Sequence, residues 1–442
     1  MAELTTTVSA MGGGGGRASG WGGKVGDSSG GTGFKRAGGI REMNNFANND
    51  TTVDDTSNYD SKNEFSNWDE LEITPSILRG IFAQGYEKPS PIQAKACKSI
   101  IAGRDIIAQA QSGTGKTAAF TIGALSHINL EEPTTQILVL SPTRELSKQT
   151  ASVMEKIGCM LNGLRVKTLI GGSSIDEDTM SLKNTTPHII AGCPGRVYDM
   201  MRRNHISNKA IKVVILDEAD EMLSSGFKEQ VYNIFQYLSR TVQVVLFSAT
   251  LPPNIHDITS KFMRNPVKIY VKAEQLTLEG ISQYFAAVED DREKYSTLKH
   301  LYEFLSIDQC IIYCNSVKRV ADLYDAMVND GFPVCCIHSN MEKSDRDRAF
   351  SDFKIGKYRV LISSNVTARG IDIQQVSVVI NFDIPKETST YLHRIGRGGR
   401  WGRKGMGINF VTRRDVGKLK EIEEHYATQI MELPSTLEGI IQ

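Results

Sequence analysis

No two of the seven cysteines stand in Cys-x-x-Cys spacing, which removes the usual sequence signature of a zinc site. Cys97, Cys159, Cys193, Cys310, Cys314, Cys335 and Cys336 lie mostly inside apolar runs. They read as small buried hydrophobes of a reducing compartment. His338, close to two of them, lacks metal-ligand spacing and reads the same way. Net charge is absent as well: 51 Lys and Arg balance 51 Asp and Glu. Any basic groove must therefore be local, and total charge argues nothing about partners. No apolar stretch approaches the length of a membrane helix, so no membrane partner is expected. The opening MAELTTTVSA has neither the basic start nor the apolar core of a secretory signal. These absences point to the cytoplasm, with the nucleus open. Residues 1–64 have few large apolar side chains and consist mainly of Gly, Ser, Asn, Asp and Thr. Such a stretch cannot bury a core and reads as a disordered tail. Weak RNA contact by its basic glycine-rich part, Arg17 to Arg41, is the alternative to a merely solvated tail.

What remains is ample for more than one domain. The 442 residues are 40% hydrophobic and 23% charged, which suits two or three globular units. Thr74 and Ser90 are placed to cap helices over Pro75–Gln84 and Pro91–Ile101. Short runs rich in Val, Ile and Leu then alternate with helical segments: Ile137–Leu140, Val166–Ile170, Ile189–Ala191, Val213–Leu216 and Val242–Phe247. Runs without polar alternation suit strands covered on both faces of a parallel sheet. The stretch Val271 to Gly280 reads as a linker. Beyond it the alternation restarts at Cys310–Tyr313, Val334–Ile337, Val360–Ile362, Val376–Ile380 and Ile408–Val411. The expectation is α/β architecture in two tandem lobes, 65–272 and 281–442, joined by 273–280. A ligand cleft would lie between them.

The sharpest motif is Ala110-Gln111-Ser112-Gly113-Thr114-Gly115-Lys116-Thr117. It follows the apolar run Ile106–Ala108 and precedes the helical pattern Ala118–Leu125. That is strand, glycine-rich turn, helix, with Ala110 where the usual first glycine of a phosphate loop sits. Such a turn points several N–H groups at a polyphosphate, and the helix adds the positive end of its dipole. Lys116 can reach the β- and γ-phosphates, and the Thr117 hydroxyl can ligate Mg²⁺. Asp217-Glu218-Ala219-Asp220 directly follows the run Val213–Leu216. Asp217 can hold Mg²⁺ there, and Glu218 can orient and deprotonate an attacking water. In the second lobe, Arg394, Arg397 and Arg400 are spaced by three, which puts them on one side of a helical turn. Arginines of this kind can act as fingers on a γ-phosphate held by the first lobe.

These motifs, in this order, resemble those of the DEAD-box RNA helicases of superfamily 2, from about Asn67 to the C-terminus. The resemblance implies two RecA-like lobes, ATP and Mg²⁺ as ligands, and ATP-dependent RNA unwinding by a monomer. Within the family, Ile211–Glu229, Leu276–Ile281 and His393–Gly405 are most similar to the initiation factor 4A branch and its exon-junction relative. That similarity implies a scaffold or regulatory protein partner of initiation-factor type. An ATP-gated RNA clamp, held closed by partners, is the alternative to a turning-over helicase; a DNA translocase is a weaker one.

Residue by residue, the resemblance makes Gly85 to Gln93 the Q motif, with Gln93 pairing adenine, Tyr86 stacking on it and Trp68 the isolated aromatic upstream. Ser248-Ala249-Thr250 would couple hydrolysis to unwinding. Asp372 would contact the ribose, and Arg397 and Arg400 would be the fingers. Pro142, Thr143, Arg144, Gly171, Gly172, Pro194, Gly195 and Arg196 in the first lobe, and Asn315, Arg346 and the Ser364–Arg369 region in the second, would grip RNA. Contacts to sugar and phosphate carry no base information, so little sequence specificity is expected. Five positions depart from the family pattern: Ser147 for Ala, Cys193 for Thr, Ser339 for Gly, Lys343 for Gln and Asn365 for Asp. None touches the phosphate chemistry.

Overall fold

The computed structural model describes residues 64–110, 113–224, 226–251, 254–270, 281–304, 309–368, 376–398 and 405–434. The expected tail up to 63, the linker, Gln111, Ser112, Arg369, Asp372 and Arg400 lie outside them.

The first helices form where caps and proline allow. Pro75–Ala83 (α1) follows Thr74, and Pro91–Ile101 (α2) follows Ser90, whose N–H donates to Gln93 Oε1 at 2.7 Å. Proline at a helix start loses nothing, because its missing N–H would be unpaired there anyway. The chain continues through Ile106–Gln109 (β1), Lys116–Leu125 (α3), Ile137–Leu140 (β2), Arg144–Ile157 (α4), Val166–Leu169 (β3), Ile175–Asn184 (α5), Ile189–Gly192 (β4) and Pro194–Arg202 (α6). Then come Val213–Asp217 (β5), Ala219–Ser224 (α7), Lys228–Tyr237 (α8), Gln243–Ser248 (β6), Asn254–Phe262 (α9) and Val267–Ile269 (β7).

The second sheet is built from Ile281–Ala287 (β8), Gln309–Tyr313 (β9), Val334–Ile337 (β10), Val360–Ser363 (β11), Val376–Asn381 (β12), Gly405–Val411 (β13) and Met431–Glu432 (β14). Its helices are Glu293–Phe304 (α10), Val317–Asn329 (α11), Lys343–Lys354 (α12), Thr388–Ile395 (α13) and Val416–Tyr426 (α14).

Among the described residues the strands form two sheets of seven, in the orders β3-β4-β2-β5-β6-β1-β7 and β10-β11-β9-β12-β13-β8-β14. The strand pairs are parallel. Successive strand residues point to opposite faces, and both faces are apolar. Ile137, Val139, Val213 and Ile215 enter one core, Leu138, Leu140, Val214 and Leu216 the other. That burial on two sides is why the strand runs show no polar alternation. β7, β8 and β14 lie outside the runs expected from the sequence: β7 and β14 are three and two residues long, and β8 is only partly buried. No described helix is long and apolar enough to cross a membrane.

Parallel register brings the functional loops together. Asp217 at the end of β5 pairs with Phe247 of β6, and Phe247 pairs with Ala108 of β1. The loops after β1, β5 and β6 therefore leave the same edge of the sheet side by side, as expected at the carboxyl ends of strands in an open α/β sheet.

Candidate functional site

The phosphate loop is held open by glycine geometry. Gly113 and Gly115 have φ of 84° and 94°, a region that L side chains rarely adopt. A Cβ on Gly115 would also lie 2.5 Å from Gln93 Nε2. The segment before α2 grips this loop from outside: Ser90 Oγ donates to Thr114 O at 2.7 Å, and Gln93 Nε2 donates to Gly115 O at 3.2 Å. Ala110 N–H donates to Ser248 O at 3.0 Å, tying the loop to β6. Tyr86 packs half-buried on the core, whereas Trp68 is buried within it, 5.6 Å from the Phe65 ring.

Lys116 opens α3, next to the half-buried Thr117, and its Nζ lies 3.1 Å from Glu218 Oε1, both side chains buried. Glu218 itself has φ of 55°, a non-glycine residue in the left-handed region at the turn after β5. Beside it, Asp217 Oδ1 is buried with no hydrogen-bond partner. Burial pushes the Asp217 carboxyl above the usual carboxylate range, and the Lys116 charge opposes that shift. A buried carboxylate oxygen without a donor at Asp217 and a helix-start hydroxyl at Thr117 are oxygen donors of the kind that suits a hard divalent cation.

Asp220 connects this chemistry to both β6 and the second lobe. Its N–H donates to Ser248 Oγ at 3.2 Å, and its Oδ2 accepts from Thr250 Oγ1 at 2.7 Å. Ser248 Oγ in turn donates to Thr250 O at 2.6 Å, with Ala249 buried between them. From the second lobe, His393 Nε2 sits 3.1 Å from the same Asp220 oxygen, and His393 Nδ1 lies 3.9 Å from Glu218 Oε2. His393 stood in the arginine-rich stretch of the sequence without a role. Its signal, a histidine inside a basic glycine-rich run, says nothing of a partner 173 positions away.

The arginines separate. α13 ends at Ile395, so Arg394 and Arg397 do not share a helix face as their spacing suggested. Gly396 caps the helix and redirects the chain. Arg397 is buried, with Nε donating to His393 O at 3.1 Å. Arg394 points away from the site, wholly buried. It donates to Asn365 Oδ1 from Nε and Nη2, to Asn381 Oδ1 and Asp383 O from Nη1, and to Asn315 Oδ1 from Nη2. Its role here is to knit strand-end loops together.

The expected nucleic-acid residues of the first lobe lie at and beside the starts of α4 and α6. Thr143 caps α4, accepting from Leu146 N–H, and Pro142 is buried behind it. The Arg144 guanidinium lies over Gly171 and Gly172, where a Cβ on Gly172 would be 2.7 Å from Nη1. Gly172 also has φ of 84°, so the close approach and the turn both require glycine. Pro194 opens α6 and Gly195 is exposed beside it. Arg196 bonds to Ser173 Oγ and O and to Asp178. Asn315 donates from its amide to Ile384 O at 2.7 Å. Arg346 is buried against Glu145 of the first lobe, at 2.6 Å.

Two of the departures from the family pattern touch. Ser147 Oγ and Cys193 Sγ lie 3.7 Å apart, both buried, between α4 and the start of α6. Burial pushes the Cys193 thiol up to about 11.

Comparison with known proteins matches this arrangement. The DEAD/DEAH box helicase family covers residues 90–258, and the helicase conserved C-terminal domain covers 293–402. The chain is 51% identical over 381 residues to the ATP-dependent RNA helicase eIF4A of Lodderomyces elongisporus, spanning 86% of this chain and 95% of that protein. Among solved structures it matches S. cerevisiae Dbp5 bound to RNA and ADP BeF3, with a TM-score of 0.78 at 35% identity, over 83% of this chain and 95% of that one. For a variant of the same protein bound to Nup159, Gle1, IP6 and ADP the TM-score is 0.58, at 32% identity over 82% and 96%.

Proposed function

This chain belongs to the DEAD-box family of ATP-dependent RNA helicases, RNA-stimulated ATPases, and from that membership we propose the following division of labour and biological role. The observation that carries it is the placement of His393 from the second lobe 3.1 Å from Asp220 of the first. Hydrolysis in one lobe is thereby answerable to closure with the other.

ATP binds the first lobe. Gln93 reads adenine: Oε1 keeps a lone pair and Nε2 a hydrogen beyond those given to Ser90 and Gly115, which is what a purine N6/N7 edge requires. Tyr86 stacks on the base. The backbone N–H groups of the loop from Gly113 to Thr117 face the phosphates, and Lys116 exchanges Glu218 for the β- and γ-phosphates. Thr117 and Asp217 hold Mg²⁺, which when bound neutralises charge on the phosphate oxygens. Glu218, released from Lys116, takes a proton from the attacking water. Arg397 supplies positive charge as the lobes close; Arg400 and the ribose contact of Asp372 follow from the family resemblance alone. Ser248 and Thr250, both bonded within the Asp220 cluster, report hydrolysis to the rest of the lobe. RNA lies along Pro142–Arg144, Gly171, Gly172 and Pro194–Arg196, with Asn315 and Arg346 on the other side.

The biological role we propose is that of an initiation-factor-4A-like helicase acting as a cytoplasmic monomer with a scaffold or regulatory protein. The 51% identity across 95% of the fungal relative supports it. The test is steady-state ATP hydrolysis alone, with single-stranded RNA, and with DNA of the same sequence. Strong stimulation by RNA only, with RNA released at each turnover, is expected. Hydrolysis indifferent to RNA overturns the RNA-facing assignments, and long-lived RNA binding without turnover favours the clamp.

A further inference from the structure

Two ion pairs join α4 of the first lobe to α12 of the second, and their polarities are opposite. Along α4, Glu145 is followed one turn later by Lys148; along α12, Arg346 is followed by Asp347. Arg346 Nη2 and Nε each lie 2.6 Å from the Glu145 carboxylate, in a contact that is about one-twentieth exposed. Lys148 Nζ lies 2.5 Å from Asp347 Oδ1, with side chains 38% and 41% exposed. Residues three apart on a helix share a face, so Glu145 and Lys148 both turn toward α12. If either helix slid by a turn, one direction would set Lys148 against Arg346 and the other would set Glu145 against Asp347, like against like in each case.

We propose that Lys148 and Asp347 are positioning residues, which set the register in which the lobes close and so tune RNA-stimulated hydrolysis. This rests on the reading that closure is needed for hydrolysis. The two pairs differ in kind. The buried pair must leave water in order to form, so it exists only when the lobes are closed and aligned. The exposed pair costs little to desolvate and is screened by salt, so it acts during approach, where wrong registers are rejected by repulsion. Neither Lys148 nor Asp347 reaches the nucleotide loop or the catalytic carboxylates; they act through the alignment of His393 and Arg397 on the site.

The experiment is a charge swap in the full chain: Lys148→Asp, Asp347→Lys and the double variant. The readouts are the RNA concentration giving half-maximal stimulation of the ATPase, at low and high salt, and the melting temperature. Each single variant should raise that concentration about threefold or more at low salt, the scale of a partly exposed pair plus repulsion. The double variant should return to within about twofold of the parent, and at high salt all four proteins should converge. Melting temperatures should not change, because all the atoms involved are solvated when the lobes part. Singles that match the parent, or a double as impaired as its worse single, would overturn the proposal. A parent chain that RNA does not stimulate would overturn the closure reading, and this inference with it.

Discussion

The Lys116 ammonium and the Glu218 carboxylate form a buried ion pair, 3.1 Å apart, joining the start of α3 to the acidic turn after β5. The two side chains follow the ends of β1 and β5, which are separated in the sheet by β6. In the mechanism proposed above, a phosphate entering the loop competes with Glu218 for Lys116, so that binding of nucleotide and release of the base are one exchange with measurable outcomes.

Glu218→Gln should abolish turnover while leaving RNA binding in place. Loss of a general base costs about 10²–10⁴ in rate. Because glutamine holds Lys116 without a charge, ATP affinity should rise rather than fall. Titration with a fluorescent ATP analogue beside a steady-state assay checks both, and turnover within tenfold of the parent would contradict the role.

His393→Ala should lower kcat with little change in KM for ATP. In the proposed mechanism ATP is held by the first lobe, and only the closed arrangement uses His393 against Asp220. A hydrogen bond to a charged group is worth about 1.5–3 kcal/mol, so the loss should be about ten- to a hundredfold at saturating RNA. An equal change in KM would place His393 in nucleotide binding instead.

Asn365→Asp should stabilise the second lobe. Arg394 is wholly buried, its described hydrogen bonds all go to neutral oxygens, and burial pulls its guanidinium down to about 10. A carboxylate at 365 gives it a charged partner without moving an atom. Residue 365 is exposed, so the gain is capped at about 1 kcal/mol, or about 2–4 °C in the melting transition of a lobe of this size. An unchanged or lower melting temperature would show that the neutral acceptors already suffice.

Alkylation at neutral pH should modify one cysteine in the native protein and all seven after denaturation. Cys159 is the exposed one. Burial pushes Cys193 and the half-buried Cys336 up to about 11, and Cys97, Cys310, Cys314 and Cys335 are raised as well. Thiols held protonated and out of solvent react slowly. Peptide mapping that finds Cys193 labelled in the native state would mean that the start of α6 opens readily.

Much of the fold was legible because the signals are local. The runs Ile137–Leu140 and Val334–Ile337 are strands to the residue, since a buried parallel strand needs nothing but a short apolar run with turns at its ends. α2 is likewise readable from Ser90, Pro91 and Gln93, which lie within one turn of each other. The short strands β7 and β14 escaped, because two or three residues carry no period and their pairing comes from the neighbouring strand. The spacing of Arg394 and Arg397 misled, because Gly396 ends α13 between them: Arg394 turns to the strand-end loops, whereas Arg397 bonds back to His393 O.

The sequence alone therefore determined what is made by neighbours in the chain: the phosphate loop, the acidic turn after β5 and the two α/β lobes, all of which follow from residue type and spacing. Tertiary structure decided which charges meet. Arg346 finds Glu145 across 201 positions and His393 finds Asp220 across 173. Those pairs depend on how two separately folded lobes are set against each other. Charge acts through distance in space, and no spacing along the chain encodes that distance.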